Sequence, residues 1–381
     1  MLGVMFNRVH AVFRLFRPRT LTRMQKSIAD LSGHVREQRA SAQQFQDQTA
    51  AAHRAISETL DGIRQELSIV GTRIRQEISI VGTIRKDLDA LIIRETQLRA
   101  VALADLGLEG ALPALDALLS KPEPIDAHIR SAIAAAVRHD SPYPYTIVDN
   151  VLPREVFNAV IKGLPPVELF AERAVNHQQL KPPFKLAPRY TRRIWRFLTS
   201  TVDRVIRPAL LEKFRDPVKT WLRDYFPRIE DELLDTLRTG CFGRVLLRRR
   251  GYRIPPHRDP KWAIMTCLFY LPRPGDNERW GTQLYTVADD GEARGVSPHW
   301  IADARCTLAV DVPFRPNRLV VFMNAHGAHG AFIPEDAEPA DLERWVYQVR
   351  IGPTRQAIPE LIARLPEERK ALWAGEATAD Y

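Results

Sequence analysis

Apolar residues recur at spacings of three and four through about the first hundred residues, which predicts helix along most of that stretch. The first block of this pattern is short and rich in arginine, and Pro18 ends it. Its apolar positions are Leu2, Met5, Phe6, Val9, Val12, Phe13 and Phe16. We predict a basic amphipathic leader helix within residues 1–21.

Residues 22–100 carry a longer form of the pattern, which predicts a coiled coil. IRQELSIVGT at 63–72 recurs as IRQEISIVGT at 74–83, and an 11-residue period favours a straight or right-handed supercoil. Gly71 and Gly82 disfavour helix, and the S-I-V-G-T segments would also suit a strand, but helix remains the prediction. A single helix of this length cannot bury its own apolar seam, so we expect self-association as a dimer or trimer.

The pattern changes again after residue 100. Residues 101–142 predict a helical connector with a break at 121–124, and residues 165–238 are mostly helical in pattern. Short apolar strands separated by Pro- and Gly-bearing turns are predicted at Tyr145–Val151, Arg244–Arg249, Ala263–Leu271, Thr282–Val287, Thr307–Val312, Arg318–Asn324 and Trp345–Ile351. Six of these follow residue 241 without intervening helices, which favours an antiparallel sandwich or jelly roll. The fold class is therefore α+β, with one large domain at 143–355 and a helical tail at 356–381.

Charge is concentrated at the start of the chain. The 381 residues carry a formal net charge of +9, and residues 1–29 hold six Lys/Arg and no acid. Residues 30–100 balance ten basic with ten acidic residues, so a nucleic-acid partner is not favoured. The leader fits an anionic membrane surface at residues 1–29, an organelle-targeting segment, or a helix that packs on its own protein.

Cysteine usage and hydropathy bear on the compartment. The three cysteines form no C-x-x-C pair, so neither a disulfide framework nor a thiolate zinc site is indicated. No apolar run approaches the roughly 18 residues of a membrane span. We expect a cytoplasmic protein, with peripheral membrane attachment or organelle targeting through the leader as alternatives.

Candidate chemistry begins at His257-Arg258-Asp259, directly after Pro255-Pro256. Prolines favour extended backbone, in which residues two apart point to the same side. An imidazole and a carboxylate can therefore face one metal ion.

Two further histidines follow the predicted strand Arg318–Asn324, namely His326 and His329, each opening an H-G-A step. Either one would complete a set of two histidines and one carboxylate, the facial triad of non-heme Fe(II) sites, which leaves metal positions open for a chelating 2-oxo acid and O₂. Arg344 and Arg350 share a face of the last strand, and a guanidinium there can hold the far carboxylate of such an acid.

In motif order the chain resembles the Fe(II)/2-oxoglutarate-dependent oxygenases, in particular the prolyl-hydroxylase-like branch, over roughly residues 143–352. The segments that carry the resemblance are YPYTIVDNVLPREVFNAVIKGLP, GYRIPPHRD, TCLFYL, WGTQLY, residues 317–330 and ERWVYQVRIG. The resemblance implies a double-stranded β-helix (jelly-roll) fold. It implies His257, Asp259 and His329 as iron ligands, and Arg344 as the 2-oxoglutarate anchor.

These assignments lead to a functional expectation. The resemblance implies a dioxygenase that uses Fe(II), O₂ and 2-oxoglutarate, with ascorbate as a further cofactor to test, and that hydroxylates or demethylates a C–H bond while 2-oxoglutarate becomes succinate. Asp259 disfavours the related halogenases, which lack that carboxylate. The substrate class stays open between a protein, a glycan and a small molecule. The alternative is a coiled-coil scaffold whose jelly-roll domain is catalytically silent.

Overall fold

The structure is a computed structural model that describes residues 18–170, 178–180, 184–226, 229, 236–260, 262–290, 299–324 and 326–374. Most of the predicted leader, 1–21, lies outside these residues, so its amphipathic helix and its membrane contact stay predictions. The chain divides into two compact units, one ending at Leu91 and the other beginning at Ile92, and each is described by itself. No helix in the described ranges is both long and apolar enough to cross a membrane.

One long helix, α1 (Pro18–Leu108), accounts for the described part of the first unit. The helix prediction for residues 22–100 is confirmed, and both S-I-V-G-T segments are helical. Gly71 and Gly82 face open space on this helix, so a Cβ added at either position would have no neighbour within 4 Å. The seam residues lie exposed in this single chain, as Leu67 at 65% and Ile78 at 66% illustrate. The coiled coil itself stays a prediction.

The second unit begins with helices that pack beside its sheets. They are α2 (Leu112–Leu119), α3 (Pro122–Ala135), α4 (Arg154–Lys162), α5 (Arg189–Thr201), α6 (Arg207–Lys213) and α7 (Arg215–Tyr225), with α8 (Ile358–Ala363) and α9 (Glu367–Ala374) near the C-terminus. A π-helical turn at Val202–Ile206 joins α5 to α6. The connector is helical as predicted, but its break lies at residues 120–121 rather than 121–124, because Pro122 and Pro124 lie in the first turn of α3, where a proline is tolerated. Helices α8 and α9 agree with the helical tail predicted at 356–381, as far as the described residues extend.

The described strands form two antiparallel sheets in the second unit. The strands are β1 (Arg138–His139), β2 (Tyr145–Val148), β3 (Gln178–Leu180), β4 (Thr239–Arg248), β5 (Arg253–Arg258), β6 (Met265–Tyr270), β7 (Thr282–Val287), β8 (His299–Trp300), β9 (Cys306–Val312), β10 (Arg318–Met323), β11 (Ala328–Phe332) and β12 (Arg344–Pro353). The larger sheet runs β1-β2-β10-β6-β12-β4-β3, and the smaller runs β8-β5-β11-β7-β9. The α+β class is confirmed, and β11 is a strand where the sequence suggested a loop.

Alternation along β12 divides the apolar core in two. Trp345, Tyr347 and Val349 point to one side of the larger sheet and join the cluster formed with the helices. Val346 points to the other side and packs with residues of both sheets, including Leu284 of β7. The interior between the two sheets is therefore reached by the even-numbered residues of β12.

Two of the four arginines of α5, Arg189 and Arg193, are paired with acids of the second unit. Arg189 pairs with Glu109 at 3.0 Å, and Arg193 pairs with Asp116 at 2.7 Å. The paired side chains are largely exposed, as expected for ion pairs on a solvated helical face.

Gly352 and Gly240 face each other in the β12–β4 pair and offer a matched test of sheet packing. A Cβ on Gly352 would overlap the backbone oxygen of Trp262, whereas one on Gly240 would meet its nearest neighbour, Thr354 Cγ2, at an ordinary 3.6 Å. We expect Gly352→Ala to destabilise the second unit by about 1–3 kcal/mol or more. All seven tryptophans lie after Leu91, so thermal unfolding followed by tryptophan fluorescence reports on this unit. Equal midpoints for Gly352→Ala and Gly240→Ala would contradict the packing described.

Candidate metal centre

Strand register brings the separated histidines together. β5 and β11 pair antiparallel, with His257 directly opposite His329. Asp259 lies one residue beyond the end of β5, on the same side of the extended chain as His257. The two prolines before His257 keep this segment extended, as the sequence predicts.

His257, Asp259 and His329 form a compact buried group. Their potential ligand atoms all lie within 4.8 Å of one another. Asp259 Oδ1 lies 4.0 Å from His257 Nε2, and its Oδ2 lies 3.8 Å from His329 Nε2. In the part of the chain that the structure describes, these three side chains are the group able to hold a metal ion. Two imidazole nitrogens and one carboxylate fit an Fe(II) facial site.

Neighbouring groups orient the candidate ligands. His257 Nδ1 donates to the carbonyl oxygen of Pro255 at 2.9 Å, which leaves Nε2 as the free nitrogen. Thr266 Oγ1 donates to Asp259 Oδ2 at 2.5 Å. Asn324 donates in turn to Thr266 Oγ1 at 2.9 Å, so the carboxylate is fixed by a chain of hydrogen bonds.

The electrostatics of the group suit metal binding. Burial lowers the pKa of both His257 and His329, so both imidazoles are neutral near pH 7 and have a free electron pair. Burial alone would raise the pKa of Asp259, but Arg350 and the two histidines hold that pKa well below its usual value. The site therefore presents two neutral nitrogens and one ionised carboxylate.

Of the two histidines that the sequence left as alternatives, the structure brings His329 to the group and leaves His326 outside it. The His326 side chain is 62% exposed, and its Nδ1 lies 3.8 Å from Asp290 Oδ2. Gly327 turns the chain between them at a φ of 65°. Its carbonyl accepts from Arg258 Nε at 2.8 Å, which fastens the turn beside β5.

The positions of Arg344 and Arg350 are the reverse of what the sequence reasoning selected. Arg350 lines the cavity beside the three candidate ligands and pairs with Asp259. Arg344 does not line that cavity: its guanidinium lies 4.6 Å from the Phe314 ring centre, and Nη2 donates to Asn277 Oδ1 at 2.6 Å. Both residues face the interior, about 20 Å apart along the strand, but only the Arg350 side chain lines the cavity, because that of Arg344 turns to Phe314 and Asn277.

The cavity next to the triad has a volume of about 400 Å³ and contains more arginine than the sequence reasoning anticipated. Its lining includes Arg244, Arg248, Arg253 and Arg350, while Asp259 is its single carboxylate among the described residues. Within the run Arg248–Arg250, Arg248 lines the cavity. Arg249 pairs instead with Glu343 at 2.9 Å.

Arg244, Gln348 and Trp300 are lining residues that the sequence reasoning missed. Trp300 is 57% exposed, and its ring centre lies 4.9 Å from that of His257. The inward alternation of β4 could have suggested Arg244. No sequence signal distinguishes Trp300 from the aromatic residues of the core.

No family model and no curated protein matches the sequence. Structure comparison finds a prolyl 4-hydroxylase from Phytophthora capsici, at 16% identity and a TM-score of 0.34, covering 67% of this chain and 73% of that one. A Pseudomonas putida prolyl-4-hydroxylase has 14% identity and a TM-score of 0.31, with 59% and 98% covered. HygX from Streptomyces hygroscopicus, solved with nickel and 2-oxoglutarate bound, has 12% identity and a TM-score of 0.29, with 55% and 83% covered. These similarities are distant.

His326 and His329 provide a matched test of the centre because both occur in H-G-A steps of one segment. We expect Fe(II), or Co(II) as an air-stable substitute, to raise the unfolding temperature of the wild type and of His326→Ala. In His329→Ala the metal-dependent shift should disappear, since one of the three converging ligands is lost. A metal-dependent shift that survives in His329→Ala but not in His326→Ala would reverse the assignment.

Proposed function

We propose that this protein is an Fe(II)- and 2-oxoglutarate-dependent dioxygenase that hydroxylates a C–H bond of its substrate. The observation that carries the proposal is the buried group of His257, Asp259 and His329 at the wall of an arginine-lined cavity. The order of strands in the two sheets supports a double-stranded β-helix, with the three ligands on the smaller sheet and the loop that follows β5.

Each of the three ligands would occupy one position on the metal. His257 and His329 would bind through nitrogen, and Asp259 through a carboxylate oxygen. When bound, the metal and 2-oxoglutarate supply the O₂-activating chemistry, with decarboxylation of the 2-oxo acid to succinate. The protein's own part is to keep both imidazoles neutral, to keep Asp259 ionised and oriented through Thr266, and to offer charged groups to the co-substrate.

We assign the free carboxylate of 2-oxoglutarate to Arg248 rather than to Arg344. The two arginines lie directly opposite each other in the β4–β12 pair, so their side chains leave the sheet on one face. Arg248 lines the cavity, and its buried Nε has no hydrogen-bond partner among the described residues. Its positive charge also contributes to the lowered pKa of His257 and His329. A guanidinium with an unused buried donor is suited to a carboxylate. Arg344 also has unpartnered donors, Nε and Nη1, so the position of Arg248 on the cavity wall decides between the two.

The anchor is tested by substituting one arginine at a time. Arg248→Met should weaken 2-oxoglutarate binding by about 10- to 100-fold, the usual cost of losing a hydrogen bond to a charged group. Anaerobic titration of the Fe(II)-loaded protein, followed by its charge-transfer absorption, gives the Kd without turnover. Arg249→Met is the matched control, since Arg249 pairs with Glu343 away from the cavity lining. A larger loss in Arg344→Met than in Arg248→Met would restore Arg344 as the anchor.

Turnover tests the reaction class itself. Purified protein with Fe(II) and O₂ should convert 2-oxoglutarate to succinate slowly without substrate and faster with a true one. A protein that binds metal but never binds 2-oxoglutarate would be better described as the scaffold alternative.

We further propose that α1 pairs with the same helix of a second copy of the chain. The seam formed by Ile63, Leu67, Val70, Ile74, Ile78 and Val81 is exposed, continuous and spaced as a coiled coil requires. A second copy carries the same seam in the same register, including the repeated ten-residue segment, so the two surfaces match along their whole length. The near-equal charge of residues 30–100 gives this face no preference for a polyanion.

The self-association proposal predicts a change of mass on substitution. Ile74→Glu combined with Ile78→Glu should reduce the oligomer to monomer in sedimentation or light-scattering measurements, because like charges would then face each other in an apolar seam. Gln65→Glu combined with Gln76→Glu is the control, since these positions lie on the opposite face of the helix. A monomeric wild type, or equal effects of the two pairs, would contradict the proposal.

A further inference from the structure

The turn that leads into β11 is held by side chains rather than by strand pairing. β11 begins at Ala328, so Gly327 precedes the strand. The Gly327 N–H donates to Asp290 Oδ2 at 2.8 Å, and the Gly327 carbonyl accepts from Arg258 Nε at 2.8 Å. Both polar backbone groups of this residue, two positions before His329, are therefore satisfied by side chains.

Asp290 and Arg258 also pair with each other. The side chain of Arg258 is 7% exposed and that of Asp290 is 22% exposed, so the ion pair lies largely away from solvent. Arg258 stands between His257 and Asp259 in the extended chain, and its side chain leaves the chain on the opposite side from theirs. The pair therefore joins the segment that carries two of the candidate ligands to the turn that leads to the third.

Tyr143 restricts the same turn further. Its hydroxyl donates to the Ala328 carbonyl at 2.8 Å, and its ring lies so close to Gly327 that an added Cβ would overlap it. Because the turn is tied at two successive residues, the backbone has a fixed course from Gly327 to His329.

From these contacts we infer that Asp290 is a positioning residue of the metal centre. It holds Arg258 and the Gly327 N–H at once, and so fixes the place of His329 relative to the other two ligands. Asp290 acts through these groups, since it is not one of the three side chains whose ligand atoms converge. Removing a group that orients a metal ligand typically lowers metal affinity by about 10- to 100-fold. The inference rests on the proposed function, since it takes the metal site assigned there.

A simpler role for Asp290 would be to neutralise buried Arg258 and nothing more. Loss of that charge would then destabilise the fold but leave the metal affinity of the folded protein unchanged. Asp290→Asn separates the two roles, because it removes the charge and keeps an oxygen that can accept from the Gly327 N–H. His326 enters neither role, since its Nδ1 lies 3.8 Å from Asp290 Oδ2, beyond hydrogen-bond distance.

The experiment titrates the full chain with Co(II) and follows the visible absorption of the bound metal, without turnover. We expect Asp290→Ala to weaken Co(II) binding by about 10- to 100-fold and to change the absorption spectrum, because His329 no longer meets the metal in the same position. Asp290→Asn should lose less affinity. Asp303→Ala is the matched control and should bind Co(II) as the wild type does, since Asp303 pairs with Arg253 at the far end of the same strand, at 2.6 Å.

Hydrogen exchange in the metal-free protein gives a second readout. The peptide that contains Gly327 should exchange faster in Asp290→Ala than in the wild type, because the Gly327 N–H has lost its acceptor. Asp303→Ala should leave this peptide unchanged. Mass spectrometry of the digested protein measures both.

Equal Co(II) affinity in wild type and Asp290→Ala would overturn the inference, even with a lower unfolding temperature, because Asp290 would then only neutralise Arg258. An equal loss of affinity in Asp303→Ala, or unchanged exchange of the Gly327 peptide, would overturn it as well. Should Asp290→Ala fail to fold, Asp290→Asn takes its place, and unchanged affinity there has the same meaning. A wild type that binds no Co(II) would count against the metal site and the proposed function instead.

Discussion

A single ionised carboxylate inside the β-sandwich determines how the rest of the site is arranged. Asp259 is 3% exposed, and such burial ordinarily favours the neutral acid. Arg350, the two histidines and Thr266 oppose that tendency, and each comes from a different strand. The carboxylate therefore depends on the register of β5, β6, β11 and β12 at once. An error in any of these pairings would leave a buried charge without compensation, a cost of several kcal/mol.

The negative charge of Asp259 is accompanied by arginines of β4 and β12 that line the same cavity. A carboxylate that is permanently paired with a single arginine is no longer available as a ligand for a metal cation. Arg350 holds it ionised, and Arg244 and Arg248 stand farther along the same interior face. Burial, with a smaller contribution from the positive charges of Arg350 and Arg248, lowers the pKa of His257 and His329, which favours metal over protons.

Sequence reasoning anticipated much of this arrangement, and its failures have physical causes. His257 and Asp259 could be predicted from the sequence because two prolines fix an extended backbone. In such a backbone, residues two apart point to the same side. His329 could not be separated from His326, since the choice depends on the turn at Gly327 and on pairing with β5. The alternation of side chains along β12 places Arg344 and Arg350 on the interior face, but it does not show which of the two side chains reaches the cavity. The residue opposite Arg344 is Arg248, the anchor proposed for 2-oxoglutarate. It could not be identified from the sequence, because the register between β12 and β4 cannot be read from a single sequence.

The two units draw on different sources of stability. The second unit buries its own core, with Trp195, Tyr347 and Val349 among the residues that pack between helices and sheet. The described helix of the first unit leaves its apolar residues exposed within one chain, so any burial there must come from another molecule. Association through α1 would determine the number of metal sites per oligomer. The geometry of each site is determined by strand pairing within its own chain. Loss of the seam should therefore change the mass of the assembly and leave metal affinity unaltered, because none of the described metal-site contacts involves residues of the first unit.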